Sequence, residues 1–304
     1  MLTAADITVA IPTFGREKLL LETVRLVAAQ TPPPGTIIVL DQTPGKQTGA
    51  EPLDALATPT MPVCRRRLAK PSQPAAMNVA LRLAQTPIVL FLDDDVIPGE
   101  RLLEHHARAL AEHPEAWAVA GQVLQPGESA AAISRAGPTQ GLRADLDFAF
   151  RSTTACWIAS GMAGNLAVRW AEACAAGGFD ENFRGAAYRF ETEFCRRLIQ
   201  RGGRVRFEPA AGLRHLRAGF GGGRQGGGHL ASASPRHGVG DYYFALRCGS
   251  GWERLAYIAR RPFREVRTRF HLRHPWWIPA KLVGELRALL WALRLYRAQP
   301  RCLS

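Results

Sequence analysis

The sequence has little in common with secreted or membrane-spanning proteins. None of its apolar stretches approaches the roughly 20 residues with which a helix crosses a bilayer. The opening residues lack the positive start, long apolar segment and small-residue cleavage site of a signal peptide. No C-x-x-C pair occurs among the widely spaced cysteines, which are Cys64, Cys156, Cys174, Cys195, Cys248 and Cys302. We therefore expect a reduced, cytoplasmic protein.

Acidic residues are scarce toward the end of the chain. The net charge is +13, and from Arg260 onward eleven lysines and arginines face only Glu265 and Glu285. This segment therefore carries +9 and the rest of the chain only +4. A length of 304 residues suits one large domain with an appendage. We predict a main domain over residues 1–228 and a basic, mainly helical extension over residues 229–304.

Apolar, β-branched segments alternate with helical ones in the first hundred residues. Buried strands are predicted over residues 7–13, 36–40 and 87–92, with helices over 18–30 and 75–84 between them. This order is typical of βαβ units and predicts an α/β fold with a Rossmann-like, mostly parallel sheet flanked by helices. Ligands bind beyond the carboxyl ends of such strands. Because Thr13, Asp41 and Asp93 stand at three of these ends, we expect them to converge on one crevice.

The rest of the chain is patterned less clearly. Helices are predicted over residues 100–111 and 191–201, strands over 116–123 and 205–207, and loops with short elements over 126–151. The glycine-rich residues 218–228 predict a mobile segment without the strand–glycine–helix context of a dinucleotide or P-loop site. With Arg217 and Arg224, this segment is either a lid over an anionic ligand or a plain linker.

Three adjacent carboxylates, Asp93 to Asp95, come directly after an apolar strand. Like charges this close raise one another's pKa, and a bound cation removes that cost. Mg²⁺ typically takes one or two carboxylates and completes its shell with water and substrate phosphates. Because the strand fixes where the cluster points, the pattern favours a metal-and-phosphate site over a solvated acidic turn or a helix cap.

Several segments resemble the family-2 glycosyltransferases of the GT-A fold. Each segment is weak alone, but their order and spacing are specific, and they cover roughly the first two-thirds of the chain. They are Ile11 to Arg16 (IPTFGR), Ile37 to Asp41 (IIVLD), Ala75 to Asn78 (AAMN), Phe91 to Asp95 (FLDDD) with Pro98, Gly177 to Phe183 (GGFDENF) and Glu191 to Arg197 (ETEFCRR).

The resemblance implies a site for a nucleotide-diphosphate sugar donor together with Mg²⁺ or Mn²⁺. Thr13 and Asp41 would contact the nucleotide base and its surroundings, and Asp95 would bind the metal. Asp93 would approach the ribose or the waters of the metal. The implied donor-binding residues are Pro12, Thr13, Arg16, Asp41, Asn78, Asp93 and Asp94, and the implied metal ligands are Asp93, Asp95 and His215. Apart from the resemblance, Asp41 fits an ordinary turn, Arg16 a surface position and His215 a structural role.

The resemblance also places a catalytic base at Glu191. Family members carry Glu-Asp-x-Asp ahead of a helix, and the Asp after the Glu removes the proton of the acceptor hydroxyl. The matching stretch here is Phe190-Glu191-Thr192-Glu193, so Phe190 replaces an acid and the base is a glutamate. A glutamate is chemically competent when a drying pocket raises its pKa. Glu193 is the alternative base, and a surface carboxylate favoured by the helix dipole is the non-catalytic alternative.

The basic tail contains one further predicted helix, over residues 279–297. Its apolar face would hold Leu282, Val283, Leu286, Leu289, Leu290 and Leu293, with Lys281, Glu285, Arg287 and Arg294 opposite. Such a stripe, with basic residues and tryptophans beside it, suits peripheral contact of residues 260–297 with an anionic membrane surface. Apolar stripes more often serve cores, which favours packing on the main domain.

These features predict a metal-dependent, inverting glycosyltransferase of the hexosyltransferase type. One sugar would pass to a saccharide or lipid-linked acceptor, in cell-surface polysaccharide or glycolipid synthesis at the inner face of the membrane. A sugar nucleotidyltransferase would need a glycine-rich basic loop where the chain has Pro12 to Arg16. A nucleic-acid-binding protein would leave the aspartates unexplained, so no nucleic acid is expected. A catalytically inactive GT-A-like binding protein stays open because of Phe190.

Overall fold

A computed structural model of the chain describes residues 2–45, 53–133, 137–219 and 229–303. Its strands are β1 (Ile7–Thr13), β2 (Thr36–Asp41), β3 (Val63–Arg67), β4 (Ile88–Leu92), β5 (Val96–Pro98), β6 (Ala116–Leu124), β7 (Cys156–Ile158), β8 (Asn165–Arg169) and β9 (Arg204–His215). Its α-helices are α1 (Glu17–Ala28), α2 (Gln73–Leu83), α3 (Leu102–Glu112), α4 (Trp170–Ala175), α5 (Phe190–Gln200), α6 (Val239–Cys248), α7 (Gly251–Val266), α8 (Arg269–Arg273) and α9 (Ile278–Arg297).

The strands form one mixed sheet in the order β3-β2-β1-β4-β8-β6-β9-β5, with β7 also paired to β9. Strands β3, β2, β1 and β4 are parallel, and β8 enters antiparallel between β4 and β6. Strand β9 pairs parallel to β6, whereas β5 and β7 pair antiparallel to β9. Because β3, β2, β1, β4, β6 and β9 run in one direction, the predicted mostly parallel α/β sheet is confirmed.

Helices cover both faces of the sheet. Alternate side chains of β1 point to opposite sides: Val9 packs toward α1 and α3, and Ala10 toward α2, α5 and α6. Every residue of β4 is buried, as expected for a continuous apolar strand covered on both faces. The side chain of Ser72 caps α2 by accepting a hydrogen bond from the N–H of Ala75 at 3.4 Å. The predicted elements up to residue 124 agree with these bounds to within a few residues.

The sheet contains strands that the sequence analysis did not predict. These are β3, β5, β7 and β8, and β9 runs for 12 residues where only 205–207 was predicted. The described residues between 126 and 151 contain no helix or multi-residue strand, as expected. Most of the predicted mobile segment, including Arg224, lies outside the described residues.

The C-terminal helices share the core of the sheet. Tyr242, Tyr243 and Phe244 of α6 are buried in the same cluster as β1, α2 and α5. The carboxylate of Asp180, before α5, accepts hydrogen bonds from the Tyr243 hydroxyl at 2.7 Å and the Arg301 N–H at 2.9 Å. Residues on both sides of the predicted boundary after 228 therefore contribute to one core.

The orientation of α9 differs from the one expected for a core helix. Its inward residues are Lys281, Gly284, Glu285, Ala288 and Ala292, and its outward ones include Leu282, Val283, Leu286 and Leu290. The small residues let α9 approach α6 closely, and the two buried charges pair with residues of α7. Helix α9 therefore packs on the main domain, as expected, but through its small residues, with Leu289 and Leu293 at the border of the core. The expected inward direction of Leu282, Val283, Leu286 and Leu290 was wrong. Among the described residues, no helix is long and apolar enough to cross a bilayer.

Candidate functional site

The carboxyl ends of β1, β2 and β4 lie side by side and bring their polar residues together. Thr13 and Asp41 are directly opposite each other in the register of β1 and β2. Strand β4 borders β1 on its other side, so the aspartates that follow Leu92 lie beside Thr13. The Thr13 hydroxyl donates a hydrogen bond to Asp94 Oδ2 at 2.6 Å. The expected convergence of these polar residues at one edge of the sheet is therefore present.

Arg16 belongs to this crevice and not to the outer surface. Its Nη1 lies 3.0 Å from Asp94 Oδ1 and 3.1 Å from Asp95 Oδ2, and its side chain is only 10% exposed. It also donates a hydrogen bond to the carbonyl oxygen of Ala218 at 3.2 Å. We call Asp93, Asp94 and Asp95, together with Arg16 and His215, the aspartate cluster.

His215, the last residue of β9, reaches the aspartates from the far side. Its Nε2 lies 3.2 Å from Asp95 Oδ1 and 3.7 Å from Asp93 Oδ2. One ligand atom from each of Asp93, Asp95 and His215 lies within 4.8 Å of the others. The Nδ1–H of His215 donates to Gln125 Oε1 at 3.1 Å, which leaves Nε2 to face the carboxylates. This arrangement is typical of a histidine oriented for a metal.

The donor atoms of the aspartate cluster fit a divalent metal ion. Asp95 Oδ1 is buried and lies 3.2 Å from His215 Nε2. Gly164 lies so close to the Asp93 carboxylate that a Cβ at this position would collide with Asp93 Oδ2. Two carboxylates, an imidazole and free sides for water or phosphate match the ligand types that Mn²⁺ and Mg²⁺ take.

The pKa values of the three aspartates differ because their partners differ. Burial raises the pKa of Asp93 to about 6, against the opposing charge of His215. Burial also raises the pKa of Asp94, although Thr13 and Arg16 counteract it. Burial would raise the pKa of Asp95 as well, but hydrogen bonds from His215 and the Ala218 N–H outweigh it and lower that pKa. Asp95 is thus the most firmly ionised of the three.

Glu191 lies near Asp93, in the first turn of α5. Burial raises the pKa of Glu191 to about 7, and the charge of Asp93 adds to this while Arg189 opposes it. Its Oε2 is buried without a hydrogen-bond donor among the described residues. A carboxylate that ionises near neutral pH beside the aspartate cluster is suited to accept a proton.

The neighbours of Glu191 have structural roles. Phe190 is buried and packs against Phe179, with ring centroids 5.7 Å apart. Glu193 is bound through both carboxylate oxygens to Arg197, at 2.7 and 2.9 Å. Glu193, the alternative base, is therefore directed away from Glu191 into an ion pair. Phe190 occupies a core position, where an acid would be costly.

Asp41 is fully engaged by protein groups. Its Oδ1 accepts from the Thr43 N–H at 2.9 Å, and its Oδ2 accepts from Arg65 Nη2 at 2.8 Å. Arg65 also forms a bidentate pair with Glu17, with both distances 2.7 Å. Burial would raise the pKa of Asp41, but the Thr43 and Arg65 hydrogen bonds lower it. Asp41 is therefore ionised and held rigidly at the end of β2.

Two other predicted donor-binding residues lie in different surroundings. The Asn78 side chain is buried and bonds the backbone of Phe179 through both ends, at 2.7 and 2.8 Å, and Glu181 at 3.1 Å. Asn78 therefore secures the segment before α5. Pro12 is partly exposed on β1, one residue before Thr13.

Sequence reasoning missed several residues that shape the site. Gln125 orients His215, Arg65 fixes Asp41, Gly164 makes room for Asp93, and Arg189 modulates Glu191. Arg65 lies in a segment for which no element was predicted, and the other three belong to no motif. The local sequence around these four residues does not predict their roles.

Half of the chain matches a known protein family by its sequence. The family model described as Glycosyl transferase family 2 matches residues 8–159. No curated protein sequence matches the chain.

Solved structures resemble the whole fold at low sequence identity. The mannosyltransferase PcManGT from Pyrobaculum calidifontis, in complex with GDP-Man and Mn²⁺, has a TM-score of 0.54 and 17% identity, over 96% of this chain and 74% of that one. Residues 1–349 of S. aureus TarS give 0.58 and 18%, over 93% and 80%. GalNAc-T7 with UDP, GalNAc and Mn²⁺ gives 0.57 and 15%, over 81% of this chain but only 50% of that one. At such identities the similarity shows a common fold.

Proposed function

Because the chain belongs to glycosyl transferase family 2, we propose that it transfers one sugar from a nucleotide-diphosphate donor to an acceptor hydroxyl with inversion. It is a glycosyltransferase with the predicted GT-A fold. The single observation that carries this proposal is the position of Glu191. Its half-buried carboxylate, which has a pKa of about 7 and a buried Oε2, lies near a metal-type cluster at the carboxyl edge of the sheet. That combination supplies a base and a leaving-group site in one crevice.

The donor would bind along the ends of β1, β2 and β4. Asp41, held by Arg65, and Thr13 would meet the nucleoside, with Pro12 beside them. Arg16 and Asp94 would border the diphosphate, and Asn78 would act indirectly by holding the segment before α5. In PcManGT and GalNAc-T7, a nucleotide or nucleotide sugar accompanies Mn²⁺. This supports the same ligand class here.

Asp93, Asp95 and His215 would hold Mn²⁺ or Mg²⁺. The bound metal would supply charge neutralisation for the leaving nucleoside diphosphate. Glu191 accepts the proton of the acceptor hydroxyl, whose oxygen attacks the anomeric carbon on the face opposite the leaving group. The carbon–oxygen bond to the diphosphate breaks as the new glycosidic bond forms. One displacement of this kind inverts the anomeric configuration.

For the acceptor we propose a saccharide or lipid-linked hydroxyl, used in cell-surface polysaccharide or glycolipid synthesis. A lipid-linked acceptor is presented at a membrane, and residues 260–297 form a basic region with exposed apolar side chains. Peripheral contact of this region with the inner face of the membrane would bring enzyme and acceptor together.

A thermal-shift titration with UDP, GDP, dTDP and CDP, each with and without Mn²⁺, tests the donor site. We expect one nucleotide to raise the Tm in a metal-dependent manner, because ligands that bind only the folded state stabilise it. Asp95→Ala should lose this shift, whereas Asp147→Ala, which removes an exposed carboxylate outside the site, should keep it. No shift with any nucleotide at millimolar concentration would contradict the proposal.

The sugars of the stabilising nucleotide then define the reaction. Release of the nucleoside diphosphate measures turnover, and NMR of the product's anomeric proton reports its configuration. Retention of configuration would rule out single displacement through Glu191. Stabilisation without turnover on any acceptor would instead identify a binding protein.

A further inference from the structure

The outward surface of α7, α8 and α9 is more apolar than a water-facing surface needs to be. Among the described residues, sixteen large apolar side chains are exposed, and ten of them lie between residues 252 and 290. The other six are scattered along the chain from Leu26 to Leu216. Single exposed apolar residues are normal, but a contiguous group marks an interaction surface.

On α7 the exposed apolar residues form a regular helical stripe. Trp252, Leu255, Ala259 and Phe263 recur at spacings of three and four residues, and the half-buried Val266 continues the stripe. Trp252 is 80% exposed and Phe263 is 68% exposed, whereas Tyr257 and Arg261 on the opposite side are buried. The helix is therefore amphipathic with its apolar side turned to solvent.

Helix α9 also exposes its apolar side to solvent. Leu282, Leu286 and Leu290 are spaced four residues apart and are 41%, 58% and 47% exposed, with Val283 next to them at 50%. Between the two helices, Leu272 is 81% exposed and Trp276 is 66% exposed. These exposed apolar side chains lie on consecutive elements from α7 to α9, and we call them the C-terminal apolar face.

The inward sides of these helices explain why the apolar side chains remain outside. Arg261 of α7 pairs with Asp241 and lies 3.0 Å from Glu285 of α9, and Lys281 of α9 bridges Glu285 at 3.1 Å and Glu265 at 3.2 Å. We call Asp241, Glu265, Glu285, Arg189, Arg261, Arg264 and Lys281 the C-terminal ion cluster. These buried ion pairs join α7 to α9. Rotating either helix to bury its exposed apolar residues would separate the pairs and leave buried charges without partners.

The charges around the C-terminal apolar face are mainly positive. The acidic residues after 250 are Glu253, Glu265 and Glu285; the first accepts a hydrogen bond from the Leu142 N–H, and the others belong to the C-terminal ion cluster. The exposed basic residues include Arg260, Arg267, Arg269, Arg273, Arg287 and Arg294. None of these six forms an ion pair with a carboxylate in the described parts of the chain.

An arginine-lined pocket of about 280 Å³ lies beside the stripe of α7. Arg143, Arg260, Arg261 and Arg264 line it together with Glu253 and Tyr257. The guanidinium groups outnumber the single carboxylate and can pair with the oxygen atoms of a phosphate. The pocket therefore offers a place for an anionic headgroup next to side chains that would enter the acyl region.

We propose that the C-terminal apolar face docks onto an anionic phospholipid bilayer, with the surrounding arginines at the headgroup phosphates. Apolar side chains, two tryptophans and arginines at their border are the composition of an interfacial membrane surface. A second copy of this chain would place mainly arginines against arginines, because Glu253 is the one exposed carboxylate among the described residues after 250. The inference deepens the proposed function, since docking would hold the site near a lipid-linked acceptor.

Co-sedimentation with vesicles tests this docking on the full chain without donor or metal. Vesicles of phosphatidylcholine with one part in four phosphatidylglycerol should bind the protein, and phosphatidylcholine alone should bind it far less. Phe263→Ser and Leu286→Ser should each weaken binding about tenfold, the effect of one large apolar side chain. Arg260→Gln and Arg267→Gln should each weaken it about fivefold.

Leu26→Ser is the matched control, because Leu26 is a 39% exposed leucine on α1. It should bind vesicles like the wild type, and the Tm of all variants should be unchanged. Equal binding to both vesicle types, or wild-type binding by Phe263→Ser, would overturn the proposal. So would a dimer in light scattering that Phe263→Ser converts to a monomer. Glu191→Gln should bind vesicles normally, so failed docking and failed transfer are separable.

Discussion

The protein contains two buried groups of charges that differ in how completely they are paired. In the aspartate cluster, three carboxylates share one arginine and one histidine, and burial raises the pKa values of Asp93 and Asp94. In the C-terminal ion cluster, burial is outweighed by the surrounding arginines, and the pKa of Asp241 is lowered. Asp241 contacts three arginines and the Tyr257 hydroxyl.

This difference indicates that the aspartate cluster is a ligand site, whereas the C-terminal ion cluster stabilises the fold. A fully paired group stabilises the arrangement of helices that it joins, and losing one member leaves a buried charge without a partner. An incompletely paired group of carboxylates lowers stability until something positive binds. Glu191, also with a raised pKa, belongs with the second kind. Substitutions in the two clusters should therefore have opposite signatures.

The largest expected effect is on turnover. Glu191→Gln should lower kcat by about 10²–10⁴-fold, because the amide accepts no proton from the acceptor. The nucleotide-dependent thermal shift should persist, because Glu191 is not among the groups proposed to hold the donor. Steady-state kinetics with the matching sugar nucleotide measures the effect.

Glu193→Gln provides a matched comparison two residues further along α5. Its carboxylate is already engaged by Arg197, so its loss should reduce stability and leave most of kcat. If Glu193→Gln removed turnover and Glu191→Gln did not, the assignment of the two glutamates would be reversed.

Asp241→Asn should produce the largest loss of stability. Removing this charge leaves Arg261 and Arg264 buried or partly buried without their shared partner, at a cost of about 3–5 kcal/mol in the free energy of unfolding. Urea denaturation without metal measures this. Asp93→Asn is the control, and should leave the urea midpoint equal or higher, since the raised pKa of Asp93 shows that its charge is unfavourable there. Equal losses in both variants would abolish the distinction between the clusters.

A smaller effect is expected at Gln125, which acts through His215. Gln125→Ala should weaken Mn²⁺ binding about 10–100-fold, because the imidazole loses the acceptor that holds its Nδ1–H. Gln125→Glu restores an acceptor and should recover most of the affinity. Isothermal titration with Mn²⁺ measures both, and unchanged affinity in the alanine variant would show that His215 needs no such support.

Much of the sheet could be predicted because its strands have clear patterns. Strands β1, β2 and β4 are uninterrupted apolar segments, which local composition identifies. Strand β3 was not predicted because it is an edge strand with arginines and a single buried residue, Val63. In β9, Pro209 falls where its pairing with β6 shifts register, so the pattern breaks in mid-strand. Helix α6 is buried on nearly all sides and has no amphipathic period to detect.

The candidate site could be predicted only where its residues are adjacent in sequence. The run Asp93 to Asp95 and the position of Glu191 came from motifs in the chain. Their supports come from elsewhere: Arg65 is 24 residues from Asp41, and His215 is 90 residues from Gln125. Likewise, α9 buries Lys281 because α7 supplies its partner. Such pairings are set by tertiary contacts, which a single sequence does not record.

The smallest predicted effect is a pH-dependent difference in Tm between Glu191→Gln and the wild type. In the folded protein the pKa of Glu191 is about 7, against an ordinary value of 4.5. Below pH 4.5 the carboxyl is protonated in both states. Between pH 4.5 and 7 the unfolded chain ionises first, so the stability of the folded state falls as pH rises, and above 7 the difference is constant. Glu191→Gln removes this penalty, and without metal its Tm should exceed that of the wild type by roughly 2 °C at pH 8, after allowance for partial exposure. The advantage should shrink toward pH 5 in calorimetry, and an advantage independent of pH would mean that burial does not hold Glu191 protonated.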